Sequence, residues 1–323
     1  MSNQLIVISG PTASGKTKTS IEIAKVIQNE LKREAAIVNF DSLLFYKEIS
    51  IGTAKPTLEE REGIEHYMID IESIKSPMNA SQFIKKGEVV IKELMAKNKI
   101  VILVGGSAFY LRALLKGMYE TEKGSPETKA RVDAQYKAEG IAPFIEYLKL
   151  KDPQSLINLH ENDHYRLVRA VEYFEATGTK ISDKKKELDQ LNPYDFSNIN
   201  QDWRVLHFYL DLPKDEHFQI IIKRTEQMFA QGFMDEITEL EKNGFFLNEK
   251  PLASIGYKEA IDLKNGLFAS QAECVERIAI TTRQLAKSQR TFFNKITPKE
   301  SFNPIHDQAK IKERVIAFIK DDK

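Results

Sequence analysis

The sequence predicts an α/β protein: a core of parallel strands wound with helices, interrupted by an all-helical insertion. Three observations predict it. A short apolar run, Leu5-Ile6-Val7-Ile8, leads through a glycine-bracketed loop into residues 18–33, where Ile21, Ala24, Ile27 and Leu31 share one helical face. Further apolar runs at residues 35–40, 99–104 and 203–210 alternate with helical patterns, as in a doubly wound sheet. Over residues 119–200 strand patterning stops and helical periodicity alone remains.

The glycine-bracketed loop is Gly10-Pro11-Thr12-Ala13-Ser14-Gly15-Lys16-Thr17, which fits G-x-x-x-x-G-K-[ST]. Strand, glycine-rich turn and helix together are the setting in which backbone N–H groups and a helix N-terminus cradle phosphates. Lys16 is expected to reach the terminal phosphate oxygens and the Thr17 hydroxyl to sit on Mg²⁺. The fold class is therefore α/β, a P-loop NTPase-like parallel sheet core with an inserted all-helical domain. Residues 1–118 and 201–323 are assigned to the core and 119–200 to the insertion.

Composition narrows the function. The 323 residues are 42% hydrophobic and 29% charged, as in an ordinary globular protein, and formal net charge is zero. A nucleic-acid partner would thus need a local basic face. The single cysteine, Cys274, rules out an internal disulfide or a cysteine-based zinc site and reads as a packed thiol. No basic region precedes a long apolar segment at the N-terminus, and no stretch is apolar enough to span a membrane, so the cytosol is the expected compartment.

The second apolar run, Ala35-Ala36-Ile37-Val38-Asn39-Phe40, delivers Asp41 at its carboxyl end, where ligands of open α/β sheets sit. Asp41 either acts there or caps a following helix. Ile51-Gly52-Thr53-Ala54-Lys55-Pro56 reads as a loop over the sheet edge. His66-Tyr67-Met68-Ile69-Asp70 reads as a short strand, with His66 a structural histidine. Residues 80–97 carry Phe83, Val90, Ile91 and Leu94 as a helix. The next strand ends in Gly105-Gly106-Ser107, so the second Mg²⁺ acid usual in P-loop ATPases is missing. Residues 108–115 resume a helix. The insertion opens at Gly124-Ser125-Pro126, has helical stretches through Arg131, 144–150 and 165–176, and closes at Lys184-Lys185-Lys186 and Asn192-Pro193.

After the returning strand at 203–210 the remainder reads as helical, apart from a turn at Asn243-Gly244 and a loop at Ile255-Gly256-Tyr257. A last long helix, 277–299, interleaves Arg277, Arg283, Lys287, Arg290, Lys295 and Lys299 with Thr291-Phe292-Phe293. That pattern suits a nucleic-acid backbone, while on charge counting alone an ordinary solvated face is the better reading.

Taken together these stretches resemble the tRNA dimethylallyltransferase family. The resemblance rests on residues 10–17, 41–46 and 51–56, on Gly105-Gly106-Ser107 with Tyr110, and on Asn162-Asp163-His164-Tyr165-Arg166-Leu167-Val168-Arg169-Ala170. It continues through Thr177-Gly178, Ile255-Gly256-Tyr257-Lys258-Glu259 and Thr282-Arg283-Gln284-Leu285-Ala286-Lys287. It implies transfer of a dimethylallyl group from its diphosphate to the exocyclic amine of the adenosine 3′ of the anticodon. The loop, from Gly10 through Pro11, Thr12, Ala13, Ser14, Gly15 and Lys16 to Thr17, would hold a diphosphate that leaves. The implied catalytic set is Asp41 as base with Lys16, Thr17 and Arg224; Mg²⁺ would be the cofactor. Asp41, Ser42, Leu43, Leu44 and Ser107 would meet the flipped adenine. Lys129, Tyr165, Arg166 and Arg169 would grip tRNA from the insertion, and Lys287 and Arg290 from the last helix. Lys129 stands where an arginine is usual, and Ile220, Ser288 and Asn294 where the family carries basic residues, which bears on the grip rather than on the reaction. The expected partners are tRNA and dimethylallyl diphosphate, with no membrane and a monomeric enzyme. The alternatives are a small-metabolite kinase, transfer to free adenine nucleotide, and a non-catalytic RNA binder.

Overall fold

The computed structural model describes residues 3–117, 126–189, 192–199 and 202–321. The chain divides into two compact units, Met1–Gly117 with Phe196–Lys323, and Met118–Asp195. The expected insertion borders at 118/119 and 200/201, and its opening Gly124-Ser125, lie outside the described residues.

The first unit begins with β1 (Gln4–Ser9), α1 (Lys16–Glu30), β2 (Ala35–Asn39), β3 (Glu65–Tyr67), α2 (Ala80–Ala96), β4 (Ile100–Gly105) and α3 (Ala108–Lys116). The second unit holds α4 (Pro126–Glu139), α5 (Ala142–Lys151), α6 (Pro153–Asn158), α7 (His164–Thr177) and α8 (Ile181–Asp189). The chain returns to the first unit with β5 (Arg204–Leu210), α9 (Lys214–Ala230), α10 (Phe233–Lys242), α11 (Tyr257–Lys264), α12 (Gln271–Phe293), β6 (Glu300–Phe302) and α13 (Gln308–Lys320).

The six strands form one sheet in the order β3-β2-β4-β1-β5-β6, and every described pairing is parallel. Every residue of β1 and β4 is buried, which is why both read as unbroken apolar runs. On one face Ile6, Ile8 and Ile102 pack with Ile21, Ile23 and Ile27 of α1 and Val315 and Phe318 of α13. Each such side chain contributes about 1.5–3 kcal/mol. The chain leaves β1 toward β2 and β4 toward β5, in opposite directions, so the switch point lies at the carboxyl ends of β1 and β4. A second cluster joins α10, α11 and α12 around Phe233, Tyr257 and the buried Cys274, the packed thiol expected. In the second unit Val132, Phe144, Leu148, Leu167 and Val171 make a separate small core.

Three details differ from the sequence reading. The short strand near His66 covers only Glu65–Tyr67, because Met68 and Asp70 adopt positive φ and leave the sheet. The last long helix runs Gln271–Phe293, starting at a Ser270 cap that bonds the Glu273 N–H and ending before Lys299. The tail is not wholly helical: Glu300–Phe302 adds an edge strand beside β5.

The two family-like loop motifs serve each other. The Glu236 carboxylate accepts from the N–H groups of Ser50, Ile51 and Gly52 and from the Tyr257 hydroxyl. This ties 51–56 to the start of α11.

Candidate active site

Strand β1 ends at Ser9 and hands the chain to the phosphate loop. Gly10 has no alternative there, since a Cβ would stand 2.3 Å from Leu210 O and 2.7 Å from Ser14 Oγ. Gly15, at φ 79°, forms the N-cap of α1 without any side-chain cap, so among the described residues the first-turn N–H groups of α1 have no side-chain partner. Ser14 Oγ is buried and has no hydrogen-bond partner among the described residues. A buried hydroxyl without a partner is costly unless a ligand satisfies it. Both features fit a bound anion.

Lys16 turns back over the loop, its Nζ donating to Gly10 O at 3.1 Å and Pro11 O at 2.7 Å. Burial lowers its pKa to about 8; the Asp41 carboxylate opposes that fall and the Arg224 guanidinium adds to it. Arg224, on α9, is itself lowered by burial and supported by Asp41. Three charges from three elements thus lie in one field: Lys16 from the loop, Asp41 from the end of β2, and Arg224 from α9. Arg224 has no hydrogen-bond partner among the described residues.

Asp41 does not cap a helix, because a turn follows it. Asn39 fixes the strand exit, accepting from the Asp41 N–H at 2.9 Å while its amide donates to Asp41 O and Met68 O. The Asp41 carboxylate takes only one described hydrogen bond, from the Leu43 N–H at 3.3 Å. Ser42, Leu43 and Leu44 line the half-buried turn, with Leu43 resting on the α10–α12 cluster. Ser107 starts α3 with its hydroxyl unused for capping. The exposed Thr17 hydroxyl likewise makes no hydrogen bond among the described residues.

The remaining expected residues fall elsewhere. Lys129 is exposed on α4, and Tyr165 is 74% exposed at the start of α7. Arg166 pairs with Asp163 at 3.1 Å and Arg169 with Glu172. All four belong to the second unit, where α4 packs on α7. Lys287 and Ser288 are exposed on α12, and Arg283 of the same helix stacks over Phe218. Ile220 and Asn294, noted for lacking a basic side chain, lie on α9 and at the end of α12.

Arg290, expected with Lys287 among the tRNA contacts, has a side chain only 14% exposed and turned inward. Its Nε donates to Asp211 Oδ1 and Oδ2 at 2.9 and 3.1 Å, and its Nη2 reaches Leu212 O and His217 Nδ1. The sequence carried a signal for this. Arg290 lies four residues after Ala286 and three before Phe293, both fully buried, and so shares their face.

Its neighbour Gln289 also escaped the sequence reading. Gln289 Oε1 accepts from the Thr12 N–H at 2.8 Å and its Nε2 donates to Gly106 O at 3.0 Å. A Cβ on Gly106 would lie 2.7 Å from that amide nitrogen, and one on Gly105, the last residue of β4, would lie 2.6 Å from the Phe40 ring and 2.8 Å from the Asp41 backbone nitrogen. His217 Nε2 meets Thr12 O at 2.7 Å.

Comparison with known proteins gives this geometry a family. The model of the IPP transferase family matches residues 44–296, beginning just after Asp41. The chain is 34% identical to tRNA dimethylallyltransferase 1 of Trichlorobacter lovleyi, over 91% of each chain. It is 35% identical to the tRNA dimethylallyltransferase of Francisella tularensis, over 90% of this chain and 91% of that one. Among solved structures it superimposes on the tRNA isopentenylpyrophosphate transferase of Staphylococcus epidermidis with a TM-score of 0.66 and 31% identity, over 98% of both chains. The chain therefore belongs to the IPP transferase family of tRNA-modifying prenyltransferases.

Proposed function

We propose that the first unit transfers a dimethylallyl group from dimethylallyl diphosphate to the exocyclic amine of the adenosine 3′ of the anticodon, and that the second unit holds the tRNA. The observation that carries the reading is the charge cluster at the phosphate loop, where Asp41 lies in the field of both Lys16 and Arg224. The uncapped start of α1, Lys16 and Arg224 bind the diphosphate and stabilise the charge that grows on it as the allylic C–O bond breaks. The adenine amine supplies the electron pair for the new C–N bond. Its proton passes to the Asp41 carboxylate, and diphosphate leaves as the second product. The adenine reaches this depth by leaving the loop stack, and Ser107 and residues 42–44 are assigned to meet it.

Mg²⁺ is the proposed cofactor, and the residues fit it. The free Thr17 hydroxyl gives one protein ligand, and the described residues contain no cluster of three acidic, His or Cys side chains. A site of that kind suits an ion held by one protein oxygen, substrate phosphates and waters. When bound, the ion neutralises charge on the departing diphosphate. Lys129, Tyr165, Arg166 and Arg169 are assigned to tRNA from the second unit, and Lys287 from α12. No described helix is long and apolar enough to cross a membrane. We assign a monomer acting in the cytosol.

The test is incubation with tRNA and labelled dimethylallyl diphosphate, followed by digestion to nucleosides. Label on the adenosine beside the anticodon supports the reading. Label on free adenine nucleotide, or phosphate transfer from ATP without prenylation, overturns it.

A further inference from the structure

We propose that His217 is a positioning residue of the diphosphate loop, a neutral imidazole that holds the Thr12 carbonyl and thereby aims the next N–H of the loop. The inference rests on the reading of that loop as a diphosphate site. It begins with a tautomer. His217, on α9, is only 1% exposed, with its Nδ1 2.7 Å from Arg290 Nη2 and its Nε2 2.7 Å from Thr12 O. Arginine only donates, so Nδ1 must accept. Nε2 then carries the hydrogen and donates to the Thr12 carbonyl. The neutral Nε2–H form is the one state that satisfies both contacts.

Arg290 cannot turn away to suit another state, because its Nε and Nη2 are already bonded to Asp211 at the end of β5. The other polar group of Thr12 is held as well: its N–H donates to Gln289. Both backbone polar groups of one loop residue are thus held by side chains of α9 and α12. A peptide unit is planar and trans, so fixing Thr12 O toward α9 turns the Ala13 N–H the opposite way. Ala13 is the strained residue of the loop, at φ 60°, an unfavourable conformation for a residue with a Cβ. Outside the loop motif, His217 braces the peptide that joins these two residues.

Protonation would break the brace. A hydrogen on Nδ1 would face the Arg290 guanidinium, with the Lys16 ammonium also in range and Asp211 as the one opposing charge. Burial, Arg290 and Lys16 accordingly hold the His217 pKa below its ordinary value. At neutral pH the brace is intact, and it fails as pH falls through that lowered value.

The experiment compares the wild type, His217→Ala and His217→Gln by calorimetric titration with magnesium pyrophosphate, from about pH 8 to about pH 5. Glutamine offers an N–H to Thr12 and an oxygen to Arg290 without titrating. His217→Ala is expected to weaken pyrophosphate binding about tenfold, with tRNA affinity unchanged. His217→Gln is expected to recover most of that loss. The ratio of wild-type to His217→Gln affinity should fall at the acid end. Two results overturn the proposal: unchanged pyrophosphate affinity in His217→Ala, or a glutamine variant no better than alanine. If alanine prevents folding, the glutamine comparison alone decides. Pyrophosphate binding needs neither tRNA nor prenyl transfer, so a failed prenylation assay would sink the proposed reaction and leave this result standing.

Discussion

Diphosphate affinity should fall as pH rises through 8, because Lys16 must be an ammonium to bind and is half-deprotonated near that pH in the free protein. The perturbation is pH itself, and the magnitude follows from the buried position of the lysine. The fall of its pKa from 10.5 to about 8 makes the free ammonium dearer by about 3 kcal/mol. A bound diphosphate supplies the opposite charge and restores the ordinary value. Binding above pH 8 therefore takes up a proton, and affinity falls about 2-fold at pH 8 and about 11-fold at pH 9 relative to acid conditions. The sign for folding is the reverse. Between 8 and 10.5 the unfolded chain holds the proton that native Lys16 has lost, so stability of the free protein rises with pH there.

The assay is calorimetry with magnesium pyrophosphate in buffers of different ionisation enthalpy, with Lys16→Arg as the control that cannot lose its charge. Ionisation of pyrophosphate is common to both proteins and cancels in their ratio. The neighbours should move the midpoint in opposite directions. Asp41→Asn removes support and lowers it, whereas Arg224→Met removes repulsion and raises it. Parallel pH profiles for wild type and Lys16→Arg, with no proton uptake, would refute the reasoning.

Three further outcomes are expected. Asp41→Asn keeps the Leu43 turn but cannot accept a proton, so turnover at saturating tRNA should drop by roughly 10²–10⁴-fold; near-normal turnover would remove Asp41 as the base. His207 lies buried against Ser9 and Phe196 with its Nδ1 unpartnered, and burial lowers its pKa to about 3. Below pH 6.5 the unfolded chain takes a proton that the native chain refuses, so stability should fall as pH falls, by roughly 1–3 kcal/mol around pH 4.5, and His207→Gln should flatten that slope in urea melts. Ser288→Arg, at an exposed position beside Lys287, should tighten tRNA binding and steepen the log–log salt slope by up to roughly 1; superimposable lines would mean that this face of α12 does not meet RNA.

What the sequence discloses here is what is local. The phosphate loop needs its glycines, Lys16 and Thr17 within eight consecutive residues, and β1, β2, β4 and β5 are apolar because the sheet is covered. Asp41 is legible because a strand end aims it. The edge strand Glu300–Phe302 is not, since its one apolar residue gives no pattern and its state comes from pairing with β5. His217 and Gln289 are invisible for a related reason: each bonds Thr12 across more than two hundred residues of chain, and no spacing rule spans that distance. Along α12 a count of charge has to be read with the helix period. On one turn of that helix Lys287 faces water and Arg290 faces Asp211.

The same contacts bear on why a phosphate loop should release diphosphate rather than hydrolyse a nucleotide. A hydrolytic site needs a group that orients water near the phosphate, and the end of β4 is a usual place for an acid. Here that end is Gly105-Gly106, and the Gly106 carbonyl is already taken by the Gln289 amide, which also holds Thr12. The position is filled by a brace rather than by an acid. Asp41, the acid that lies in the field of Lys16 and Arg224, comes from β2, two places from β1 in the sheet. On the proposed reading an acid so placed would serve as acceptor for a proton from the second substrate rather than as a metal ligand. On the proposed reading Lys16 and Arg224 would face the leaving diphosphate and Asp41 the attacking amine, an arrangement that would separate the two charges the transfer creates.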